Sequence, residues 1–256
     1  MQTRTAFDLR SKSINGKAVR QTASGKLVRN ILLLQIPESE FLCLEPHLAF
    51  VELKCADRVE QGGDRISAVY FLNDGIGSML IETADGRSVE VGLVGHEDMI
   101  GLPIAAGLND VSSTVIMQVP GDGFRMPAET LQQMLPRLPE LRRMLLRRLA
   151  IRSLELAQNA ACNRLHNIKQ RLARWLLLTH DRLDTDLIRT THDFLSRMVG
   201  TDRPTVTLAV AELERDGVIL PGRGSIRIEN RRKLEERSCE CYGMFQRFNA
   251  ELGLAK

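Results

Sequence analysis

No stretch of this chain is apolar for long enough to cross a bilayer. Its uncharged runs, such as Ile31 to Pro37 and Ile100 to Asn109, fall well short of the ~20 apolar residues a span needs. No basic start leads into an apolar segment and a cleavage site, so secretion is not expected. Cysteine is scarce and scattered. Cys43, Cys55, Cys162, Cys239 and Cys241 are odd in number, which argues against a disulfide framework and for a reducing compartment. The expected location is therefore cytoplasmic, with no membrane partner. Disorder throughout is excluded by 43% hydrophobic and 26% charged residues, and 256 residues suit two domains rather than one.

The net charge of +3 hides an uneven distribution. Residues 1–30 carry seven Lys/Arg against one Asp, whereas residues 31–133 carry five against sixteen Asp/Glu. Residues 134–162 and 163–256 are both basic again. An acidic middle repels a nucleic-acid backbone, while the ends can approach one. Residues 1–30 are polar and without sustained apolar periodicity, and they read as a flexible basic tail.

From Ile31 the texture changes. Leu32, Leu33, Leu34 and Ile36 suggest a short packed helix ending at Pro37. Strand signals follow at even spacing. Val51, Leu53 and Cys55 alternate with Glu52 and Lys54, and Ile66 to Leu72 is a β-rich run. Ser78 to Thr83 and Ser88 to Val94 flank a hairpin centred on Asp85-Gly86. Thr114 to Val119 and Phe124 to Met126 suggest a second hairpin around Gly121-Asp122-Gly123. Strands without intervening helices point to an antiparallel roll over residues 31–133.

Beyond it, Leu131, Met134, Leu138, Leu141, Leu145, Leu149, Leu156 and Ala160 recur at helical spacing, with Arg142, Arg143, Arg147, Arg148 and Arg152 expected on the outer face. Pro136 and Pro139 put the start of the regular part near Leu138. Such a helix either lies against its own domain or pairs with a second copy; its length favours pairing, so residues 134–162 read as a dimerisation helix.

Residues 163–256 hold the most specific signal. Thr191 is a good N-cap for a helix over 192–199, and Gly200 supplies the left-handed residue that ends it. Thr201 and Asp202 precede a second helix from Arg203 to about Arg215, with Pro204 in its tolerated first turn. Ser196, Gly200 and Val206 hold the small, glycine and buried-aliphatic positions of a helix-turn-helix, flanked by Leu195, Val199 and Ala209. Leu208, Val210 and Leu213 add apolar positions. Two short strands over 218–228, joined by Pro221-Gly222-Arg223-Gly224-Ser225, form a wing. Arg203, Thr205 and Thr207 are then candidates for base contact in a major groove, because an arginine fork matches guanine O6 and N7. Thr191, His192, Arg197, Thr201, Arg223 and Ser225 are candidates for the phosphate backbone.

This order of parts resembles the catabolite-activator/fumarate–nitrate-regulator (Crp/Fnr) transcription factors over roughly residues 31–235. The resemblance rests on Tyr70-Phe71-Leu72, Asp85-Gly86, Val94-Gly95 with Gly101 beyond, Cys162-Asn163-Arg164-Leu165, Arg171 to Leu177, and Thr191 through Gly224. It implies an α+β protein. The N-terminal β-roll is of the cyclic-nucleotide-binding type, the long helix makes a homodimer, and a winged helix-turn-helix binds double-stranded DNA. It also implies contact with RNA polymerase, through surfaces that include the Asp181 to Arg189 loop, and ligand-biased motion at a hinge near Cys162-Asn163.

The departures bear on the effector. Family members that bind cyclic nucleotides pair a glycine with a glutamate for the ribose, then use an arginine and a small hydroxyl residue for the phosphate. Gly101 is present, but Leu102 stands at the glutamate position. Val111 or Ser112 replaces the arginine, and only Ser113 keeps the hydroxyl. Leu102, Ser112 and Ser113 therefore mark an effector pocket whose ligand is an unknown small molecule or none.

Iron–sulfur members use four cysteines mostly near the N-terminus, which this tail lacks. His47 and His96 are lone histidines. Cys239-Glu240-Cys241 with distant Cys162 falls short of four zinc ligands, so ordinary buried thiols, no metal and no cofactor are expected. In the reading helix, Pro204 stands where the family often has an acid, and Leu208 where it has a second arginine, so the bound sequence should differ from the best-known family site.

Two other classes compete: a cupin-like β-roll metalloenzyme, for which His47 and His96 are too few ligands, and an interaction protein whose helix-turn-helix no longer binds DNA. Catalysis is not expected. Without a cation for the cyclic phosphate, cyclic AMP and cyclic GMP are expected not to bind tightly. A titration giving micromolar or better affinity would contradict that.

Overall fold

The computed structural model describes residues 11–14, 17–183 and 185–251; the first ten residues of the expected tail lie outside them. From Ser11 the flexible-tail reading is corrected. β1 (Ser11–Ile14), β2 (Lys17–Gln21) and β3 (Leu27–Val28) form an antiparallel sheet. Arg20 is what polar composition concealed. Its guanidinium is buried, donates to the carbonyls of Leu33 and Ile36, pairs with Glu38 at 3.1 Å and lies over the Phe41 ring. Asn30, fully buried, donates to the carbonyls of Leu72 and Asp98, while its Oδ1 accepts from the Leu33 amide. That cap starts α1 (Ile31–Gln35), followed by α2 (Glu38–Leu44).

The roll has two four-stranded antiparallel sheets. β4 (Ala49–Leu53), β5 (Arg58–Glu60), β6 (Ala68–Leu72), β7 (Ile76–Glu82), β8 (Ser88–Val94), β9 (Met99–Ile100), β10 (Thr114–Val119) and β11 (Gly121–Pro127) order as β5-β10-β7-β8 and β4-β11-β6-β9. Leu72, Val94, Ile100, Val115 and Met117 pack together as one core cluster. The hairpin at Asp85-Gly86 joins β7 to β8, with Gly86 at φ 82.

The second expected hairpin does not form: β10 pairs with β5 and β7, whereas β11 pairs with β4 and β6. The chain changes sheets at Pro120. Gly121 and Gly123 are strand residues, and a Cβ on them would lie 2.2 Å from the Asp74 carbonyl and 2.3 Å from that of Phe71. Close backbone approach, not turn chemistry, explains those glycines. Cys55 falls outside β4, in an exposed turn, and β6 begins at Ala68 rather than Ile66.

α3 (Ala128–Met134) and a 3-10 turn at Leu135–Arg137 precede α4 (Pro139–Leu165), 27 residues long. Its first free amides, Glu140 and Leu141, donate to the Glu40 carboxylate at 2.9 Å, a side-chain cap from 100 residues away. The outer-face expectation for its arginines holds for Arg142, Arg143 and Arg147, which are exposed. Arg148 and Arg152 are the correction. Positions 141, 145, 148, 152, 155, 159 and 162 share the buried face. Arg148 bonds Asp98 at 2.6 Å and Glu155 at 2.7 Å, and Arg152 also bonds Asp98. The apolar stripe therefore gives way to ion pairs beyond Leu149, and Ala160 is exposed.

α5 (Ile168–His180) starts with an Asn167–Gln170 capping box. After it come β12 (Leu187–Arg189), α6 (His192–Val199), α7 (Arg203–Arg215), β13 (Ile219–Gly222), β14 (Ser225–Ile228), α8 (Arg231–Arg237) and α9 (Cys241–Glu251). The expected 181–189 loop thus contains a strand, β12, which pairs with β14. The two halves share a core in which Ile76, Leu80 and Leu93 join Trp175, Leu176, Met198 and Val199.

Asp98 and Arg148 are both fully buried. Burial alone would raise Asp98, but Arg148 and Arg152 outweigh it and hold the carboxyl below its usual range. Removing one partner of a buried pair leaves an uncompensated charge, at a cost of about 3–5 kcal/mol. Arg148→Met is therefore expected to destabilise the protein by about that amount, read as a lower urea midpoint at unchanged slope.

Candidate nucleic-acid interface

The turn between α6 and α7 follows from local chemistry. Thr191 Oγ1 accepts from the Phe194 amide, Gly200 sits at φ 63, and Asp202 Oδ1 accepts from the Thr205 amide at 2.8 Å. Ser196, Val206, Leu195, Val199 and Ala209 are buried, which locks the two helices together. Val210 and Leu213 are buried with them, but Leu208 is 68% exposed and belongs to the outer face. Arg203 and Thr207, four apart on α7, are exposed beside it. Asp202 is engaged in its cap and leaves Arg203 to solvent. Thr205 is half-buried.

Thr207 and His192 are brought together. The Thr207 hydroxyl bonds the Arg203 carbonyl and His192 Nδ1, both at 3.0 Å. Its methyl is then the part left to face outward. Thr191 and Arg197 are exposed, Arg197 pairing with Asp193 at 3.1 Å, and Thr201 is half-buried. Acidic groups toward the far end of α7 are neutralised: Lys169 pairs with Glu212 and Asp216, and Arg237 with Asp216.

β13 and β14 pair with Gly222 opposite Ser225, and Gly224 takes φ 71. Arg223 is exposed between them, and Ser225 is half-buried. Arg189, which sequence reading did not single out, is exposed on β12 directly opposite Ser225. Its signal was the strand hidden in a stretch read as loop.

The roll answers the effector expectation differently. Leu102 and Ser113 are buried and Ser112 is exposed. None lines the roll's cavity of about 200 Å³, whose walls include Arg58, Glu60, Arg65, Ile66 and Val111. Arg58, which pairs with Glu82 at 3.3 Å, and Arg65 bring positive charge to those walls. They share the space with a carboxyl: burial pushes Glu60 up to about 7, against the pull of Arg152 and a Gly101 backbone hydrogen bond.

Two polar contacts add to the apolar core that the halves share. Trp175 Nε1 donates to Glu90 Oε1 at 3.0 Å, and Arg182 pairs with Glu97 at 2.8 Å. At the end of α4, Cys162, Cys239 and Cys241 lie buried together with His166 beside them. Sequence counting of cysteines alone had omitted His166.

A β-roll, a long helix and a winged helix-turn-helix define the architectural class. Residues 170–237 match the family model of the Crp-like helix-turn-helix domain. The fold is similar to that of FixK2 from Bradyrhizobium japonicum, at TM-score 0.66 and 15% identity over 75% of this chain and 98% of that one. It is also similar to TTHB099 of Thermus thermophilus, described as a transcriptional regulator of the CRP family, at TM-score 0.60 and 17% identity over 73% and 96%. The transcriptional regulator SdrP of Thermus thermophilus is 36% identical over 75 residues, covering 27% of this chain and 37% of that protein. Together these findings give residues 170–237 as a Crp-like helix-turn-helix domain and show a fold shared with these proteins. Among the described residues no helix is long and apolar enough to cross a membrane.

Burial pushes the Glu90 carboxyl up to about 8, against hydrogen bonds from Ser78 and Trp175 and the charges of Arg174 and Arg182. A carboxyl raised on folding supports stability fully below its ordinary range, and that support is lost as pH rises through the raised value. Stability is thus expected to fall between about pH 5 and pH 8 to 9 through this group. Trp175, the one tryptophan, reports it: its emission should shift to the red over that range, and Glu90→Gln should abolish the shift.

Proposed function

We propose that this chain is a sequence-specific DNA-binding transcription regulator that acts as a homodimer. The observation that carries the reading is the exposed Arg203 guanidinium at the N-terminal end of α7, with its neighbouring acid occupied as a cap. In this reading α7 enters the major groove. Arg203 reads guanine, while the Thr207 methyl and Leu208 offer apolar contact to thymine methyls. Thr205 lies deeper and contributes at the edge. Thr191, His192, Arg197, Thr201, Arg223 and Ser225, with Arg189 added, hold the phosphates.

The dimer follows from the outward face of α4. Leu146, Ala150, Leu154, Ala157, Ala161 and Leu165 are exposed at intervals of three and four, a stripe that a second copy covers. Two-fold pairing presents two reading helices to half-sites about 34 Å apart. Residues 31–133 then form the sensor-like roll, 134–162 the dimer helix and 163–256 the reader. RNA polymerase is the further partner of such a regulator, and the cytoplasm its place of action.

Binding-site selection on purified full-length protein tests this. A near-palindromic site is expected. Arg203→Ala should weaken it about tenfold to a hundredfold and relax the preference at one base pair. Arg223→Ala should weaken all sequences alike and reduce the salt slope by about one. Leu154→Glu should give monomers that select no two-fold site. Selection of no sequence, or an unaltered site with Arg203→Ala, contradicts the proposal.

A further inference from the structure

Four side chains that the DNA-reading surface does not use converge at the hinge. Cys162 is in the last turn of α4, and His166 follows that helix directly. Cys239 lies between α8 and α9, and Cys241 opens α9. Their three sulfurs and a ring nitrogen all lie within 4.8 Å of one another. We propose that they form a binding site for one soft divalent metal ion of the zinc class, held by three thiolates and one imidazole.

The spacing suits a single ion. Zinc bonds of ~2.3 Å to sulfur and ~2.0 Å to nitrogen place tetrahedral ligand atoms about 3.5–3.8 Å apart. Cys162 Sγ lies 3.5 Å from Cys239 Sγ, and Cys241 Sγ lies 3.6 Å from His166 Nδ1. A four-iron cluster holds its thiolates apart by its own edge and two further bonds, so it needs a wider cage. A disulfide needs sulfurs at about 2.05 Å, far closer than this pair.

The surroundings fit the same ligand set. His166 directs Nδ1 at the thiols while Nε2 bonds Glu240 Oε1 at 3.1 Å. A carboxylate on the far ring nitrogen is what fixes the tautomer and orientation of metal-bound imidazoles. Gln158 Nε2 donates to Cys241 Sγ at 3.0 Å. All three cysteines are buried and form a cluster of their own, with no aliphatic side chain among its core members. Three thiolates, a neutral imidazole and a divalent ion leave one negative charge, and Arg171 and Arg174 lie close enough to offset it.

Such an ion joins the end of the dimer helix to the start of α9 across the hinge. Arg171, beside it, donates to the carbonyl of Val199, the last residue of α6 before the Gly200 turn. Loading the site therefore fixes the reader against the helix, and stripping it frees the hinge. The metal site itself stands whether or not α7 reads DNA.

The test uses the full chain, purified and kept reduced. Elemental analysis is expected to give one zinc per chain. Cobalt(II) in its place should show thiolate charge transfer and tetrahedral d–d bands. Cys239→Ser with Cys241→Ser should lose the metal, while Cys43→Ser with Cys55→Ser should keep it. Glu240→Gln leaves the ligands in place and should weaken zinc about 10- to 100-fold in competition with a chromophoric chelator. Natively folded wild-type protein that binds neither zinc nor cobalt overturns the proposal. So does metal retained by the Cys239/Cys241 variant, iron with sulfide in cluster ratio, or a Cys162–Cys239 disulfide in reduced protein.

Discussion

Leu141 and Leu145 pack the first half of α4 on the roll, and buried charge fixes the second half. Asp98 and Arg148 are sealed from water and bonded at 2.6 Å, with Arg152 and Glu155 closing the network around them. Hydrophobic contacts tolerate sliding, because one methyl group substitutes for another. A buried ion pair does not: moving α4 by one turn strands carboxylates and guanidiniums without partners. The network thus specifies the rotation of the helix and, with it, which face is left to solvent. Leu146 and Leu154 face solvent because Arg148, Arg152 and Glu155 face inward.

The same device continues into the reader. Glu97 adjoins Asp98 on the roll and pairs with Arg182, just past the end of α5. The roll, the long helix and the reader therefore meet around one stretch of chain, Glu97-Asp98. That stretch touches both α4 and the C-terminal domain directly, apart from the covalent connection between α4 and α5.

The reader was legible in the sequence because its signals are local. An N-cap, a glycine turn and a second cap sit within about a dozen residues, and each acts on backbone groups nearby. Strand periodicity in the roll was legible for the same reason. What failed was information that only the fold supplies. Arg148 and Arg152 occur at spacings that suit an exposed face, and nothing in α4 itself announces Asp98 as their partner. Gly121 and Gly123 look like a turn until the strand facing them is known. Arg20 and Asn30 look like tail residues, yet each satisfies carbonyls of the first helices or the roll. His166 is separated from Cys239 by most of the reader, so spacing along the chain could not unite them.

Two contacts of different chemistry hold the reader on either side of its first helix. At one side Trp175 gives its N–H to Glu90 on β8, a carboxyl that burial keeps largely protonated near neutrality. A neutral acid there avoids the cost of burying a carboxylate with no ion pair of its own. At the other side the Cys162 cluster and Arg171 hold the end of α4 and the close of α6. Arg171 and Trp175, one turn apart on α5, tie that helix to α6 and to β8. Because Gly200 packs against Val89 of the same strand β8, the turn that aims Arg203 is itself seated on the roll. The angle at which α7 stands to the roll is therefore a property of the whole chain, although the residues that form the helix pair need only their immediate neighbours to fold.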